Sequence, residues 1–298
     1  LKLVPLINGQ CRIDYEDPTG TVHQGGVIDT ASWHHVALTT AGGNITFWLD
    51  GYAAVNVNSV GGYVPGGKDF QFGNGSNTSI QIDEVRLSNS VRYSEGFIPQ
   101  GGFTVDSNTL GLWKMDEGET DSQVAATYDR SGNGLHLSIE YDDSDIVNWY
   151  DGLPVVDLST SPLLINEIMQ NPSEVSDPQG EWIEIHNTYF IPIYLKDYVL
   201  SDDGSDSHII TSAVAVPPGG YAVLASNIDT ATNANLIADY EFSGFSLGNS
   251  TDEVLLSDPN GVELDRVVYD NGATFPDPSG ASMELIVPQY DNSVGTNW

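Results

Sequence analysis

The segment Asp129-Arg130-Ser131-Gly132-Asn133-Gly134 puts a carboxylate, a carboxamide and open carbonyl oxygens on one glycine-rich turn. Hard cations such as calcium take those oxygen ligands. Asp83, beside Glu84 in Ile80-Gln81-Ile82-Asp83-Glu84-Val85-Arg86-Leu87, offers a second carboxylate. Asp83, Asp129 and Asn133 are therefore the candidate calcium ligands. The competing reading is that Asp129 and Asn133 only make Asx turns. A second possible chemistry is stacking on sugar rings. Trp48 stands at opposite parity to Phe47, and Tyr52 and Tyr63 lie near turns, so these three are candidate glycan platforms. The competing reading packs them against a neighbouring sheet or domain.

Other chemistries lack their residues. Retaining glycoside hydrolysis needs two carboxyls about 5 Å apart across the scissile bond. Here Asp83 and Glu84 are adjacent and Glu181 and Glu184 stand three apart, so neither pair projects regularly to one strand face. No histidine has a second histidine at metal-ligand spacing, no glycine-rich loop opens a helix, and no nucleophile elbow is visible. The chain is expected not to be an enzyme.

Charge narrows the partners. The chain carries 42 Asp and Glu against 9 Lys and Arg over 298 residues, a net charge of −33. Phosphate neutralisation needs clustered Lys and Arg, so nucleic acid is excluded as a partner. The acid sits in turn-like runs such as Ser201-Asp202-Asp203-Gly204-Ser205-Asp206. Such runs suit cation binding or a soluble surface. The Asp202–Asp206 run lacks the glutamate that closes an EF-hand loop. Cys11 is the one cysteine, which excludes an intrachain disulfide and is expected to be a buried thiol. No apolar run approaches the roughly 18 residues of a membrane helix, so no membrane insertion is expected.

Elements that position these residues are short strands, because the pattern is period-two alternation bounded by turn signals. Ile45, Phe47 and Leu49 share a face, Asp50-Gly51 turns the chain, and Ala54 to Val57 returns. Glu253–Leu256 and Val262–Leu264 flank Asp258-Pro259-Asn260-Gly261, which suits a type I turn closed by a bulge. In Ser79–Leu87, Ile80 and Ile82 have one parity and Val85 and Leu87 the other. A bulge at Asp83-Glu84 would restore a single apolar face; the alternative is a strand buried on both sides. An acidic, Pro- and Ser-bearing linker is expected over 142–162, with Trp149 and Tyr150 packing on a neighbouring domain.

Residues 1–141 resemble the laminin G-like, concanavalin A-like jelly-roll family. The matching residues are Trp33-His34-His35-Val36-Ala37-Leu38, Phe47-Trp48-Leu49-Asp50-Gly51, Ile82-Asp83-Glu84-Val85-Arg86-Leu87, Leu112-Trp113-Lys114-Met115-Asp116-Glu117-Gly118 and Asp129 to Gly134. Only 32 residues precede Trp33, where the family has several strands, so the sandwich is expected to be incomplete at its N-terminus. Residues 163–298 resemble the lamin tail domain, an immunoglobulin-like sandwich. They do so through Leu164-Ile165-Asn166-Glu167-Ile168, Glu181-Trp182-Ile183-Glu184-Ile185-His186-Asn187, Leu195 to Asp202, Pro218 to Leu224, Leu247-Gly248-Asn249 and Asp265 to Tyr269. This end, too, is expected to be cut from something longer.

The resemblances imply an all-β chain of two tandem β-sandwiches. They imply a non-enzymatic extracellular or cell-surface protein, structural or adhesive, exported and bacterial-like. Its expected partners are copies of itself or neighbouring domains, with calcium stabilising the packing. The alternative is an accessory carbohydrate-binding module that takes extracellular polysaccharide beside an exported hydrolase or adhesin.

Overall fold

The computed structural model describes residues 2–6, 10–16, 20–58, 80–117, 126–138 and 161–298. Tyr63, Trp149, Tyr150 and all of the expected linker before Ser161 lie outside them. The described residues are almost all strand and turn, as the alternation requires.

In the N-terminal region, β1 (Lys2–Pro5), β2 (Gln10–Glu16) and β3 (Val22–Asp29) form one antiparallel sheet. A second is built from β4 (Val36–Ala41), β5 (Asn44–Leu49) and β6 (Tyr52–Asn58). Two ribbons follow: β7 (Val85–Ser88) with β8 (Thr109–Trp113), and β9 (Ala126–Thr127) with β10 (Leu137–Ser138). The β5–β6 hairpin turns at Asp50 (φ 49°) and Gly51 (φ 82°), the left-handed pair that the Asp-Gly signal predicts.

The two sheets pack through Ile13, Phe47 and Leu49, with Ile28, Val36, Ala54 and Val55 around them. Two glycines allow this approach. A Cβ on Gly25 would stand 3.0 Å from the Phe47 ring and 2.1 Å from the Ile13 carbonyl oxygen; one on Gly26 would stand 2.2 Å from Leu49 Cδ2. β5 is buried on both faces, since Trp48 as well as Phe47 is about 97% covered: their exposures are 3% and 2%. Cys11 is a free thiol and only half-buried, on β2 opposite Ile28.

The segment before β7 departs from expectation. No strand runs through residues 80–84; pairing begins at Val85, and Ile80 and Ile82 are exposed. Glu84 takes a left-handed conformation (φ 46°). Its carboxylate accepts the Phe103 N–H and pairs with Lys114 Nζ. The parity break is real, but a single turned residue makes it. The bulge of this ribbon falls instead at Leu87/Ser88.

The C-terminal region spans β11 (Leu163–Met169), β12 (Trp182–Asn187), β13 (Ile193–Tyr194), β14 (Val199–Ser201), β15 (Ser207–Ile209), β16 (Ala215–Val216), β17 (Tyr221–Ala225), β18 (Tyr240–Glu241), β19 (Thr251–Ser257), β20 (Glu263–Asp270) and β21 (Met283–Glu284). One sheet has the order β18-β17-β12-β11-β21, the other β15-β14-β19-β20, and β13 pairs with β16. Their inner faces share a continuous core from Leu163, Ile165 and Ile168 through Leu200, Leu224 and Val254 to Met283 and Trp298. The β19–β20 hairpin turns as its sequence predicts: Gly261 N–H donates to the Asp258 carbonyl at 2.9 Å, with a bulge at Leu256/Ser257.

Candidate functional site

A cleft of about 380 Å³ opens where the two regions meet. β5, β6 and residues 94–97 give one wall; Tyr194, Lys196, Tyr198 and Pro259 give the other. The Asp50-Gly51 turn carries Tyr52 to the rim. That turn is pinned by its own carboxylate: Asp50 Oδ1 accepts the His35 N–H at 2.7 Å, and Oδ2 lies 2.8 Å from His34 Nδ1. Burial opposes charge on His34, but Asp50 and Asp29 outweigh it and raise its pKa.

Across the cleft, Tyr52 meets Tyr194 with ring centroids 6.0 Å apart, and Lys196 Nζ stands 5.3 Å from the Tyr52 centroid. A cation over a tyrosine face adds attraction of about 0.5–1 kcal/mol at an exposed site. Burial, then the charges of Asp50 and Asp29, push the Tyr194 pKa up to about 12. The same joint is closed deeper down. Tyr189 is buried and its hydroxyl donates to the Pro99 carbonyl at 2.8 Å. Trp33 and Ile98 pack against the C-terminal core.

Of the three candidate stacking residues, Trp48 and Tyr52 reach this cleft. Trp48 is buried and offers no platform. Its Nε1–H donates to Thr39 Oγ1 at 2.8 Å and its ring packs 5.7 Å from Phe97, so no face is free for a sugar. Tyr52 is half-buried and partnered. Tyr63 lies outside the described residues. Tyr194, on β13, and Lys196, in the turn after it, complete the cleft without a local signal; they lie 140 or so positions from Tyr52, a separation only tertiary contact closes.

The cation candidates separate. Asp129 accepts N–H bonds from Leu112 (3.0 Å), Ser131 (2.8 Å) and Leu135 (3.1 Å), and a hydroxyl bond from Ser131 (2.7 Å). Burial opposes its charge, but these donors win and hold its carboxyl well below the usual range. Asn133 Nδ2–H donates to the Leu110 carbonyl at 2.9 Å. Both side chains therefore brace their turn. Asp83 is half-buried in the segment before β7. Among the described residues, no three His, Cys, Asp or Glu side chains form a ready metal shell.

Glu181 and Glu184 sit in different surroundings. Glu181 is 3% exposed, and its carboxylate accepts the Leu247 N–H at 3.3 Å. Burial, with Asp177 and Asp252 near, pushes its pKa up to about 7. Glu184 lies on the outer face of β12, where Asn166 Nδ2–H donates to it at 2.9 Å. The two carboxylates do not form a catalytic pair facing one cleft. Among the described residues no helix is long and apolar enough to cross a membrane.

No curated protein matches the chain. Residues 158–271 match the family model of the Lamin Tail Domain, so the C-terminal region, with its two facing sheets, is similar to that immunoglobulin-like fold.

Proposed function

We propose that the chain is a non-enzymatic structural or adhesive part of an exported extracellular or cell-surface protein. In this reading a laminin G-like, concanavalin A-like module is joined to a lamin tail module, and the pair belongs to a larger chain or assembly. The joint carries the reading: Tyr52 against Tyr194, Tyr189 on Pro99, and Trp33 and Ile98 against the neighbouring core pack the two regions on one another. A packed joint suits a spacer or a building block. Domain contacts within a chain otherwise permit relative motion by default. The turn carboxylates fit the same role, since Asp129, Asp202, Asp258 and Asp270 each hold backbone N–H groups of their own turns. At a net charge of −33, packing between copies needs cations to offset repulsion.

Light scattering and electron microscopy in millimolar calcium, then in chelator, test this. Ordered filaments or sheets that dissolve on chelation support it. A monodisperse monomer in both conditions overturns it.

The cleft favours a second reading, an accessory carbohydrate-binding module. Tyr52 and Tyr194 line it together with Thr46, Asn56 and Lys196, a mix of aromatic and polar groups suited to sugar hydroxyls. Titration with soluble polysaccharides checks it: saturable binding lost in Tyr194→Ala supports this reading, and no binding removes it.

A further inference from the structure

His34 lies between two carboxylates that come from different elements. Its Nδ1 is 2.8 Å from Asp50 Oδ2 at the β5–β6 corner, and its Nε2 is 3.6 Å from Asp29 Oδ2 at the end of β3. The Asp50 side chain is fully buried, and that of His34 is 7% exposed. Asp29 is held through its other oxygen, which accepts the Ala31 and Ser32 N–H groups at 2.7 Å. A neutral imidazole carries a single N–H, so one of these carboxylates would face a ring lone pair; the imidazolium has an N–H for each. A charged His34 also compensates the buried Asp50 carboxylate, and removing one partner of a buried pair strands the other.

The same corner reaches the joint. The Asp50 N–H donates to the His35 carbonyl at 2.8 Å, and the His35 N–H donates to Asp50 Oδ1 at 2.7 Å. The Gly51 carbonyl accepts the Phe97 N–H at 3.1 Å, and a Cβ on Gly51 would stand 1.7 Å from the Phe97 carbonyl oxygen. The two residues after Phe97 go on to the C-terminal region: Ile98 packs against its core, and the Pro99 carbonyl accepts the Tyr189 hydroxyl. Tyr52, next after Gly51, meets Tyr194.

We propose that His34 is a proton-operated clasp: protonated, it ties Asp29 to the Asp50 corner and so holds that corner on the C-terminal region; on losing its proton it loosens both. Burial opposes the charge, but Asp50 and Asp29 outweigh it, and the His34 pKa stands above its ordinary 6.5. The stabilisation is therefore fully present below pH 6.5 and lost as pH rises through the folded pKa. Burial raises the Asp50 pKa and the His34 charge pulls it back; once that charge is gone, Asp29 and Asp50 repel. Tyr194, on β13, feels both carboxylates and stays a neutral hydroxyl, its pKa pushed up to about 12 by burial and then by their charge. His35 is desolvated and near Arg86, and stays neutral down to about pH 4. Glu95, Lys196 and Asp197 line the cleft beyond Tyr52. Of the groups at the corner, His34 is the one whose charge changes as pH rises above 6.5. The clasp rests on the joint of the proposed function and regulates it, but it needs neither calcium nor a glycan.

Hydrogen exchange of the chain in chelator from pH 6 to pH 9, corrected for the intrinsic rate, tests this together with small-angle X-ray scattering. Exchange at the His35, Asp50 and Phe97 amides should speed by about tenfold for each unit by which the His34 pKa stands above 6.5. The radius of gyration should grow over the same range. Glu181 titrates near pH 7 in the C-terminal region, so the corner amides and a His34→Gln control isolate His34. His34→Gln keeps an N–H for Asp50 but no charge. Its corner amides should exchange at pH 6 as fast as those of the unaltered chain at pH 9, and neither readout should change with pH. If that variant fails to fold, Asp29→Asn decides: it keeps the oxygen that accepts Ala31 and Ser32 and should move the midpoint to lower pH. Flat exchange in the unaltered chain, a pH dependence that survives in His34→Gln, or an unmoved midpoint in Asp29→Asn overturns the clasp. Faster exchange at the corner with unchanged scattering overturns its hold on the joint. Assembly in calcium and glycan binding are read separately, so the failure of either leaves the clasp standing, and its failure leaves them.

Discussion

The C-terminal region wraps two sheets around one uninterrupted core, whereas the described residues of the N-terminal region divide their burial among small patches. Ile13, Phe47 and Leu49 make one patch and Trp48 with Phe97 and Tyr93 another, while Leu112 and Trp113 are buried on opposite faces of β8. The difference teaches where rigidity comes from. In the C-terminal region every inner strand face feeds one cluster, so each apolar side chain is supported by many others. Among the described residues of the N-terminal region, turns pinned by carboxylates and the joint with its neighbour add order beside these smaller patches.

The largest expected effect sharpens that contrast. Ile185→Ala should cost about 3–4 kcal/mol in urea unfolding, since a fully buried side chain leaves a cavity in a continuous core. Leu38→Ala on β4, at a site 40% exposed, should cost well under about 1 kcal/mol. Equal costs would break the comparison.

The two regions should also respond oppositely to pH. Glu181 has a folded pKa of about 7, raised above the ordinary 4.5 by burial. Its contribution is fully present below 4.5 and lost as pH rises through 7. Glu181→Gln should therefore stabilise the C-terminal region by roughly 2 kcal/mol at pH 8 and leave it unchanged near pH 4. His35 behaves in reverse. Packed against Tyr93, Phe97 and Phe103, its ring is desolvated and, with Arg86 near, its pKa falls to about 4. Stability from neutral His35 is present above 6.5 and lost as pH falls toward 4. Hydrogen exchange resolved by region should show protection falling first in the N-terminal region on acidification; uniform loss would contradict this.

Smaller effects probe the turn and the joint. Asp129→Ala removes the acceptor of four bonds and should cost about 1–2 kcal/mol, read as faster exchange at Leu112 and Leu135. Tyr189→Phe deletes one buried bond to Pro99 and should cost about 1 kcal/mol. If the joint is what steadies the N-terminal region, its exchange should rise in that variant while the C-terminal core stays protected.

Much was legible in advance. Alternation placed β5 and β6, and Asp-Gly placed their turn, because strand period and left-handed turn residues are local properties. Parity was a sound clue with two outcomes. At Asp83-Glu84 it marked a turned residue before β7, not a bulged strand. At Ile165 and Ile168, three apart and both in the core, the same break marks a true bulge that aligns Glu167 with its neighbours. Sequence alone determined that the chain is all-β, acidic and without the clustered cations that nucleic acid requires. It could not decide what covers a side chain: Trp48 and Tyr52 read equally as sugar platforms or as packed rings, and contacts with Phe97 and Tyr194 decided. Burial, charge pairing and the joint between regions depend on residues far apart in the chain, and only the tertiary structure brings those within reach.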